Sequence, residues 1–469
     1  MKYEMVIGLE THVELSTATK IFCGCTTKFA GEPNAHCCEI CTGMPGSLPS
    51  LNRAVVEYAA TAGLALGGDV REKSVMARKH YVYPDLPKAY QISQFDLPLV
   101  SGGGMTLSNG RRINLTRIHI EEDAGKLVHR GANVAVDYNR GGVPLIEIVT
   151  EPDFRDASEV LEYMERLQTT LRAVGVSDCR MQEGSMRCDV NLSLRIPGET
   201  AYGVRSETKN LNSFTAVADA IRTEYARQSE ILGAGGTVEQ ETRGYDADSG
   251  ETHSLRSKEN SDDYRYFPEP DIVTVRLSPE EIERLRGALP ELPDAKLARY
   301  VSVLQIPEAD AKLLTKYRAV SEYFERAADG IAPKSAANFI ITVMFAEIQT
   351  EAERENWNPA VSAANLNGLL KLTEAGTISR GTQKRVYGEM SASGKPAADF
   401  VTAEDTAQIT GDELRALCEK AVAENAKSVA DYKSGKEKAL KAVVGAVMRE
   451  TRGRADAVLA EAIILAVIA

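Results

Sequence analysis

A carboxylate and an imidazole stand two residues apart at Glu10 and His12, inside the run Met5-Val6-Ile7-Gly8-Leu9-Glu10-Thr11-His12-Val13-Glu14-Leu15. The run alternates with period two. Met5, Ile7, Leu9, Val13 and Leu15 take one face of an extended strand, and Glu10, His12 and Glu14 take the other. Side chains on one face can converge on one ligand, and Glu with His suits a divalent cation or a proton-transfer site. An ordinary amphipathic strand with a solvated face has the same pattern, so the rest of the chain must decide. Two more acidic pieces follow: Glu121-Glu122-Asp123, after Ile118-His119-Ile120, and Glu147 within Leu145-Ile146-Glu147-Ile148-Val149. A carboxylate in the middle of an apolar strand is costly to bury unless it is paired or metal-bound. Several carboxylates with one His favour a hard cation such as Mg²⁺, the usual companion of nucleotide phosphates. Salt bridges to Arg117 and Arg140 are the alternative.

Five of the eight cysteines fall between Cys23 and Cys41. Cys23-x-Cys25 and Cys38-x-x-Cys41 are two pairs on tight turns, the spacing of a tetrahedral zinc site with no open position and hence a structural role. Cys37 is a spare thiol that could take the place of its neighbour in register. Reduced cysteines or a redox pair form the competing reading. One dense cluster in a large chain that starts without a signal peptide points to a reducing, cytoplasmic setting. The chain has no Gly-x-x-x-x-Gly-Lys-Ser/Thr loop and no Gly-x-Ser-x-Gly elbow, so an ATP site here is not a P-loop. A Gly/Ser-rich amidase signature is also missing, so ammonia, if used, comes from another chain. Basic and aromatic residues interleave over residues 78–90 and 262–271, which suits phosphate contacts and base stacking, or loops fixed by proline.

These residues need a scaffold, and the pattern describes an α+β chain. Residues 112–122, 144–151 and 186–196 read as strands. A helix follows Asp156, with Glu159 completing a capping box; Val160, Met164, Leu167, Leu171 and Val174 form its apolar stripe, and Gly175 ends it. A second helix covers residues 212–232. After Val275 the strand signals fade, and Pro290 and Pro293 mark a boundary. The expected division is a β-rich domain over 1–293, an all-α domain over 294–401, where Leu366, Leu369 and Leu370 keep helical spacing, and a small helical tail over 402–469. Residues 433–454 carry seven basic side chains, Lys433, Lys436, Lys438, Lys441, Arg449, Arg452 and Arg454, against two acidic ones, a local +5 in a chain of net charge −12. That overall charge argues against a protein that coats nucleic acid indiscriminately, but leaves room for a local anion-binding patch. The apolar end, residues 462–469, is too short to span a bilayer, so no membrane is expected.

Seven long segments, VIGLETHVEL from Val6, RKHYVYPDLPKAYQISQFD from Arg78, HIEEDAGK from His119, DYNRGGVPLIEIVTEPD from Asp137, EGSMRCDVNLSLR from Glu183, ETKNLNSF from Glu207 and DDYRYFPEPD from Asp262, together resemble the GatB family, the B subunits of glutamine-dependent aspartyl/glutamyl-tRNA amidotransferases. They run in order over the first 275 residues, and the helical remainder matches in layout. The resemblance implies a β-rich cradle-shaped kinase domain, a helical domain and a small helical tail, whose local +5 then points to tRNA as the anion it binds. It implies ATP-dependent phosphorylation of the side-chain carboxylate of Glu-tRNA(Gln) or Asp-tRNA(Asn), then amidation with ammonia from an amidase A subunit, while a small C subunit holds the heterotrimer together. It places the Mg²⁺ ligands on Glu10, His12, Glu122 and Glu147 and a structural Zn²⁺ on Cys23, Cys25, Cys38 and Cys41. Lys79 and Arg187 are the candidate clamps for ATP phosphates or the substrate carboxylate. Cys37, Glu39 in place of a frequent proline, and the apolar end depart from the family pattern.

Overall fold

The computed structural model describes residues 2–131, 133–257, 264–348, 350–406, 409, 411–451 and 454–468. The fold is α+β, and the chain divides into two units, Met1–Pro293 and Asp294–Ala469.

The first unit is organised by a ten-stranded sheet whose centre is the N-terminal strand β1 (Glu4–Glu14). The helix α1 (Arg53–Ala65) and the short strands β2 (Ala77–His80) and β3 (Tyr90–Ser93) follow, then β4 (Arg112–Glu122) and β5 (Pro144–Thr150). After α2 (Ala157–Ala173) come β6 (Met186–Arg195), β7 (Ser206–Lys209), α3 (Phe214–Gly233), β8 (Glu241–Asp246) and β9 (Glu251–Ser257). The order across the sheet is β9-β8-β7-β6-β1-β5-β4, continued by Val100–Ser101 and Asp69–Val70, with Gly104–Thr106 also on β4. Only the β7–β8 pair among these named neighbours is parallel.

Register is what builds the polar face. His12 lies opposite Glu147 on β5 and opposite Arg187 on β6, and Glu147 in turn lies opposite His119 on β4. Directly opposed residues of an antiparallel ladder project from the same face, so these four side chains form one row. The other face carries Ile7, Leu9, Val13, Ile118, Ile120, Ile146 and Ile148, which share one core with Val55, Val56 and Ala59 of α1 and with the stripe of α2. Val160, Met164, Leu167 and Leu171 of that stripe are fully buried, each contributing about 2 kcal/mol of transfer free energy.

The caps of α2 follow the sequence with one difference. The Asp156 side chain accepts from the Ser158 N–H, and Gly175 leaves the helix at φ +74°. Glu159, however, accepts the N–H of Arg155 rather than that of the cap residue, and it also holds Arg111 and Asn109. The partners available on the β-hairpin beside it pull it away from a regular capping box.

A three-stranded sheet, Phe267–Pro268 beside β2 beside β3, packs the segment after residue 264 against the Arg78–Tyr90 region. Arg78 forks onto Glu269 at 2.6 and 2.9 Å and stacks 4.3 Å from the Tyr90 ring. Asp262 and Asp263 of the same segment lie outside the described residues.

The second unit is helical and has two apolar clusters, one from Tyr300 to Ala397 and one from Ile409 to Ile468. Leu366, Leu369 and Leu370 are buried along α4 (Ala363–Glu374). The last cluster is made by α5 (Gly411–Glu424), α6 (Ala426–Lys433), α7 (Leu440–Glu450) and α8 (Ala457–Ile468). The apolar end of the chain is α8, which buries Ala460, Ile464 and Ile468; Ala469 is outside the described residues. Among the described residues no helix is long and apolar enough to cross a membrane.

Candidate active site

On the polar face of the sheet, His12 Nε2 lies 3.4 Å from Glu121 Oε1 and 3.5 Å from Glu147 Oε2. His119 Nε2 closes the group at 3.3 Å from Glu147 Oε2 and 3.8 Å from Glu121 Oε2. Glu121 and Glu147 are both buried. Burial works against protonation of His12, but its hydrogen bond to Glu147 and the adjacent Glu121 outweigh burial and raise its pKa to about 9. Burial likewise opposes charge on Glu147, yet His119 and His12 on either side hold it well below the ordinary carboxylate range. A buried carboxylate held in its charged form, with a second carboxylate beside it, suits a cation. The donor atoms of His12, Glu121 and Glu147 lie within 4.8 Å of one another. That set fits a hard ion of the Mg²⁺ class, which takes a few protein ligands and leaves its other positions to phosphate and water.

The ligands expected from the resemblance divide differently. His12 and Glu147 meet, but Glu122 sits on the opposite face of β4, in phase with Ile118 and Ile120. There its carboxylate accepts the Ile92 N–H at 2.8 Å and pairs with Lys88 at 2.7 Å. Its neighbour Glu121 stands beside His12 and Glu147 instead. The signal was present in the alternation of Ile118-His119-Ile120-Glu121-Glu122, which puts His119 and Glu121 together on the polar face. Glu10 lies one row along, grouped with Asp189 and Glu207 and bonded by Asn191 Nδ2 at 3.0 Å. Lys209 bonds both Asp189 and Glu207. Burial and the surrounding carboxylates raise the pKa of Glu10.

Both candidate clamps border this face. Lys79 points its ammonium over the rings of Tyr264 and Tyr81, 4.9 and 5.8 Å from their centroids. Burial disfavours its charge, but Tyr266, Glu121 and Glu147 more than offset that and raise its pKa. Arg187 donates to Asp123 Oδ2 at 2.7 Å, while its Nε is buried with no hydrogen-bond partner among the described residues. A guanidinium with one edge occupied and a donor left over is suited to a second anion.

The thiols of Cys23, Cys25, Cys38 and Cys41 come together in a separate cluster, all within 4.8 Å of one another. Four sulfurs about 2.3 Å from a tetrahedral zinc stand about 3.8 Å apart, and Cys38 and Cys41 are 4.0 Å apart, so the quartet fits the ion. The first pair sits on a turn closed by the Lys20 N–H to the Cys25 carbonyl and by the Thr19–Thr26 bridge. In the second, the Cys38 N–H points at Cys41 Sγ, 3.2 Å away. Cys37 turns instead to Asn139 Oδ1 at 3.9 Å and stays out of the quartet.

In the tail, Lys433, Lys436, Lys438, Lys441 and Arg449 are exposed, with Lys436 paired to Asp431 at 2.9 Å. Arg454 differs from the expected anion contact: it is half-buried and donates to the carbonyls of Thr451 and Glu404, securing the turn before α8. Arg452 lies outside the described residues.

Residues 5–283 match the family model described as the GatB/GatE catalytic domain, and residues 322–468 match the one described as the GatB domain. The aspartyl/glutamyl-tRNA(Asn/Gln) amidotransferase B subunit of Thermoanaerobacter sp. (strain X514) is 49% identical over 462 residues, covering 97% of each chain. Its namesake from Carboxydothermus hydrogenoformans is 49% identical over 466 residues, covering 97% of this chain and 96% of its own. That from Geobacter sp. (strain M21) is 46% identical over 468 residues, covering 97% of each.

Proposed function

Because this chain belongs to the GatB family, we propose that it is the B subunit of a glutamine-dependent tRNA amidotransferase, a ligase that forms a carbon–nitrogen bond on misacylated tRNA. The observation that carries the chemistry is the row of half-buried His12 with buried Glu147, His119 and Glu121, bordered by Lys79 and Arg187. The substrates are ATP and Glu-tRNA(Gln), Asp-tRNA(Asn) or both; the setting is a cytoplasmic heterotrimer, completed by a small C subunit plus an amidase A subunit.

A carboxylate resists amidation because its leaving group is oxide. Attack of the side-chain carboxylate on the γ-phosphorus of ATP expels ADP and turns that oxygen into a phosphate leaving group. Ammonia then adds to the acyl carbon and inorganic phosphate departs. His12, Glu121 and Glu147 would hold Mg²⁺, which would neutralise the charge of the triphosphate. Lys79, kept charged by its acidic neighbours and shielded by two rings, binds phosphate oxygens. Arg187 orients the substrate carboxylate through the fork edge that Asp123 leaves free. An acyl phosphate hydrolyses readily, so ammonia must reach it without crossing bulk water. That requirement explains an obligate complex with the ammonia-producing chain.

The test is Mg²⁺-dependent ATP turnover in the reconstituted heterotrimer. Turnover stimulated by either misacylated tRNA supports the proposal, and comparison of the two tRNAs identifies the physiological one. Turnover indifferent to tRNA, or none at all, favours a non-catalytic tRNA-binding scaffold.

The exposed lysines of α6 and α7 belong to the tail, whose apolar cluster is separate from that of residues 300–397. Deleting residues 402–469 is expected to weaken tRNA binding and raise KM for misacylated tRNA. Glutaminase activity and assembly of the heterotrimer are expected to persist. Phosphate contacts release counterions, so the salt dependence of binding is expected to flatten by about one log unit per log unit of salt for each phosphate no longer neutralised. Unchanged affinity and slope in the truncated heterotrimer would show that the tail does not touch tRNA.

A further inference from the structure

Lys20 is fully buried, and it is not part of the proposed reaction. Its ammonium donates to Cys41 Sγ at 3.6 Å and to the Tyr138 carbonyl at 3.2 Å. Among the described residues no carboxylate forms an ion pair with it. The two acids that line the same cavity are engaged elsewhere, Glu122 with Lys88 and Asp271 with Arg78. An ammonium taken wholly out of water is expensive unless an anion compensates it. A carbonyl and one sulfur do not suffice, whereas a zinc tetrathiolate does: four thiolates around a dication leave a net charge of about −2.

We propose that Lys20 is the internal counter-cation of the zinc site. Its backbone N–H fastens the Cys23/Cys25 turn through the Cys25 carbonyl, while its side chain crosses to the second pair at Cys41. One residue thus ties the two halves of the quartet together and offsets part of the charge that zinc leaves behind. Lys20 is a positioning residue, acting on the metal through a ligand's sulfur. The inference rests on the zinc assignment, and the experiment separates the two.

Zinc is stripped from the heterotrimer and titrated back as Zn²⁺ alone, in competition with a chelator of known affinity. The forms compared are wild type, Lys20→Met, Lys20→Gln and each of these combined with Cys25→His. Loss of a group that hydrogen-bonds a ligand is expected to lower zinc affinity about ten- to a hundredfold. Lys20→Gln is expected to lose as much as Lys20→Met, because it keeps a donor but not the charge. The zinc-free variants are expected to melt no lower than zinc-free wild type, since an uncompensated buried charge has gone, so the Tm gain on adding zinc should shrink. Cys25→His, which replaces a thiolate by a neutral ligand, is expected to weaken zinc binding in wild type but restore part of it beside Lys20→Met or Lys20→Gln. Wild-type zinc affinity in both variants, or an equal Tm loss with and without zinc, overturns the role of Lys20. A wild-type protein that takes up no zinc overturns the zinc assignment itself, and the role with it.

Discussion

Glu147→Gln and His12→Ala are expected to lower tRNA-dependent ATP hydrolysis and amidation by on the order of a thousandfold or more, since each removes a ligand from an ion that must also grip a triphosphate. Glu147 is the more exposed to failure of the two, because its carboxylate touches both His12 and His119. As glutamine it leaves two imidazoles sharing the charge of Glu121 alone. Glu121→Gln is expected to fall in the same class. Glu122→Gln supplies the contrast. It loses the ion pair to Lys88 on the other face of β4, so the magnesium concentration that half-saturates ATP hydrolysis should stay where it is in wild type. Basal glutaminase of the heterotrimer should survive every one of these changes, because that chemistry belongs to another chain. Single-turnover amidation and ATPase assays across a magnesium titration read all of this. Normal amidation by Glu147→Gln, or a magnesium requirement raised by Glu122→Gln but not by Glu121→Gln, would put the cation elsewhere.

The second large effect is on stability. Cys38→Ser is expected to remove zinc and with it several kcal/mol of folding free energy, because a structural metal site binds only the folded state. Cys38 is the hinge of the second pair, with its N–H on Cys41 and its carbonyl accepting from the Thr42 hydroxyl at 2.7 Å. Cys37→Ser, one residue away, loses a hydrogen bond to Asn139 from a thiol outside the quartet and should change stability by less than about 1 kcal/mol. Metal analysis of chelator-washed protein should find about one equivalent of zinc in wild type and in Cys37→Ser, and less than half an equivalent in Cys38→Ser. Equal zinc and equal Tm in the two variants would mean that the thiols serve some other end.

Where alternation was clean, the elements could be read directly. Residues 112–122 form β4 as expected, and 144–150 and 186–195 form β5 and β6 within a residue of the expected ends. Placing the acidic residues needed one more step, the parity of each position within its strand. Glu122 shares parity with the isoleucines of β4, and the pleat therefore carries it away from His12. The strands β7 to β9 left no such trace. Ser206–Lys209, Glu241–Asp246 and Glu251–Ser257 are mostly polar, and their pairing is supported by side chains far off in sequence. Glu224 of α3, only 1% exposed, accepts from Ser206, Arg227 and Thr252 and pairs with Arg243. A buried ionic network of this kind has no periodic signature. The helix cap at Asp156 was legible in type, yet the reach of Glu159 depended on a hairpin that only the tertiary structure brings near.

The central position of β1 bears on how the protein is made. Its hydrogen-bonding neighbours, β5 and β6, follow it by some 130 to 190 residues, the gap between Glu4–Glu14 and the strands Pro144–Thr150 and Met186–Arg195. At translation rates of roughly 5–20 residues per second, that strand waits on the order of 10 to 40 seconds beside the ribosome with both edges open. It is also rich in the apolar residues that drive cross-β association. Glu10, His12 and Glu14 interrupt that apolar pattern at every second position. The polar residues that face the candidate site thus serve first as gatekeepers, keeping an unpaired strand from pairing with the wrong one.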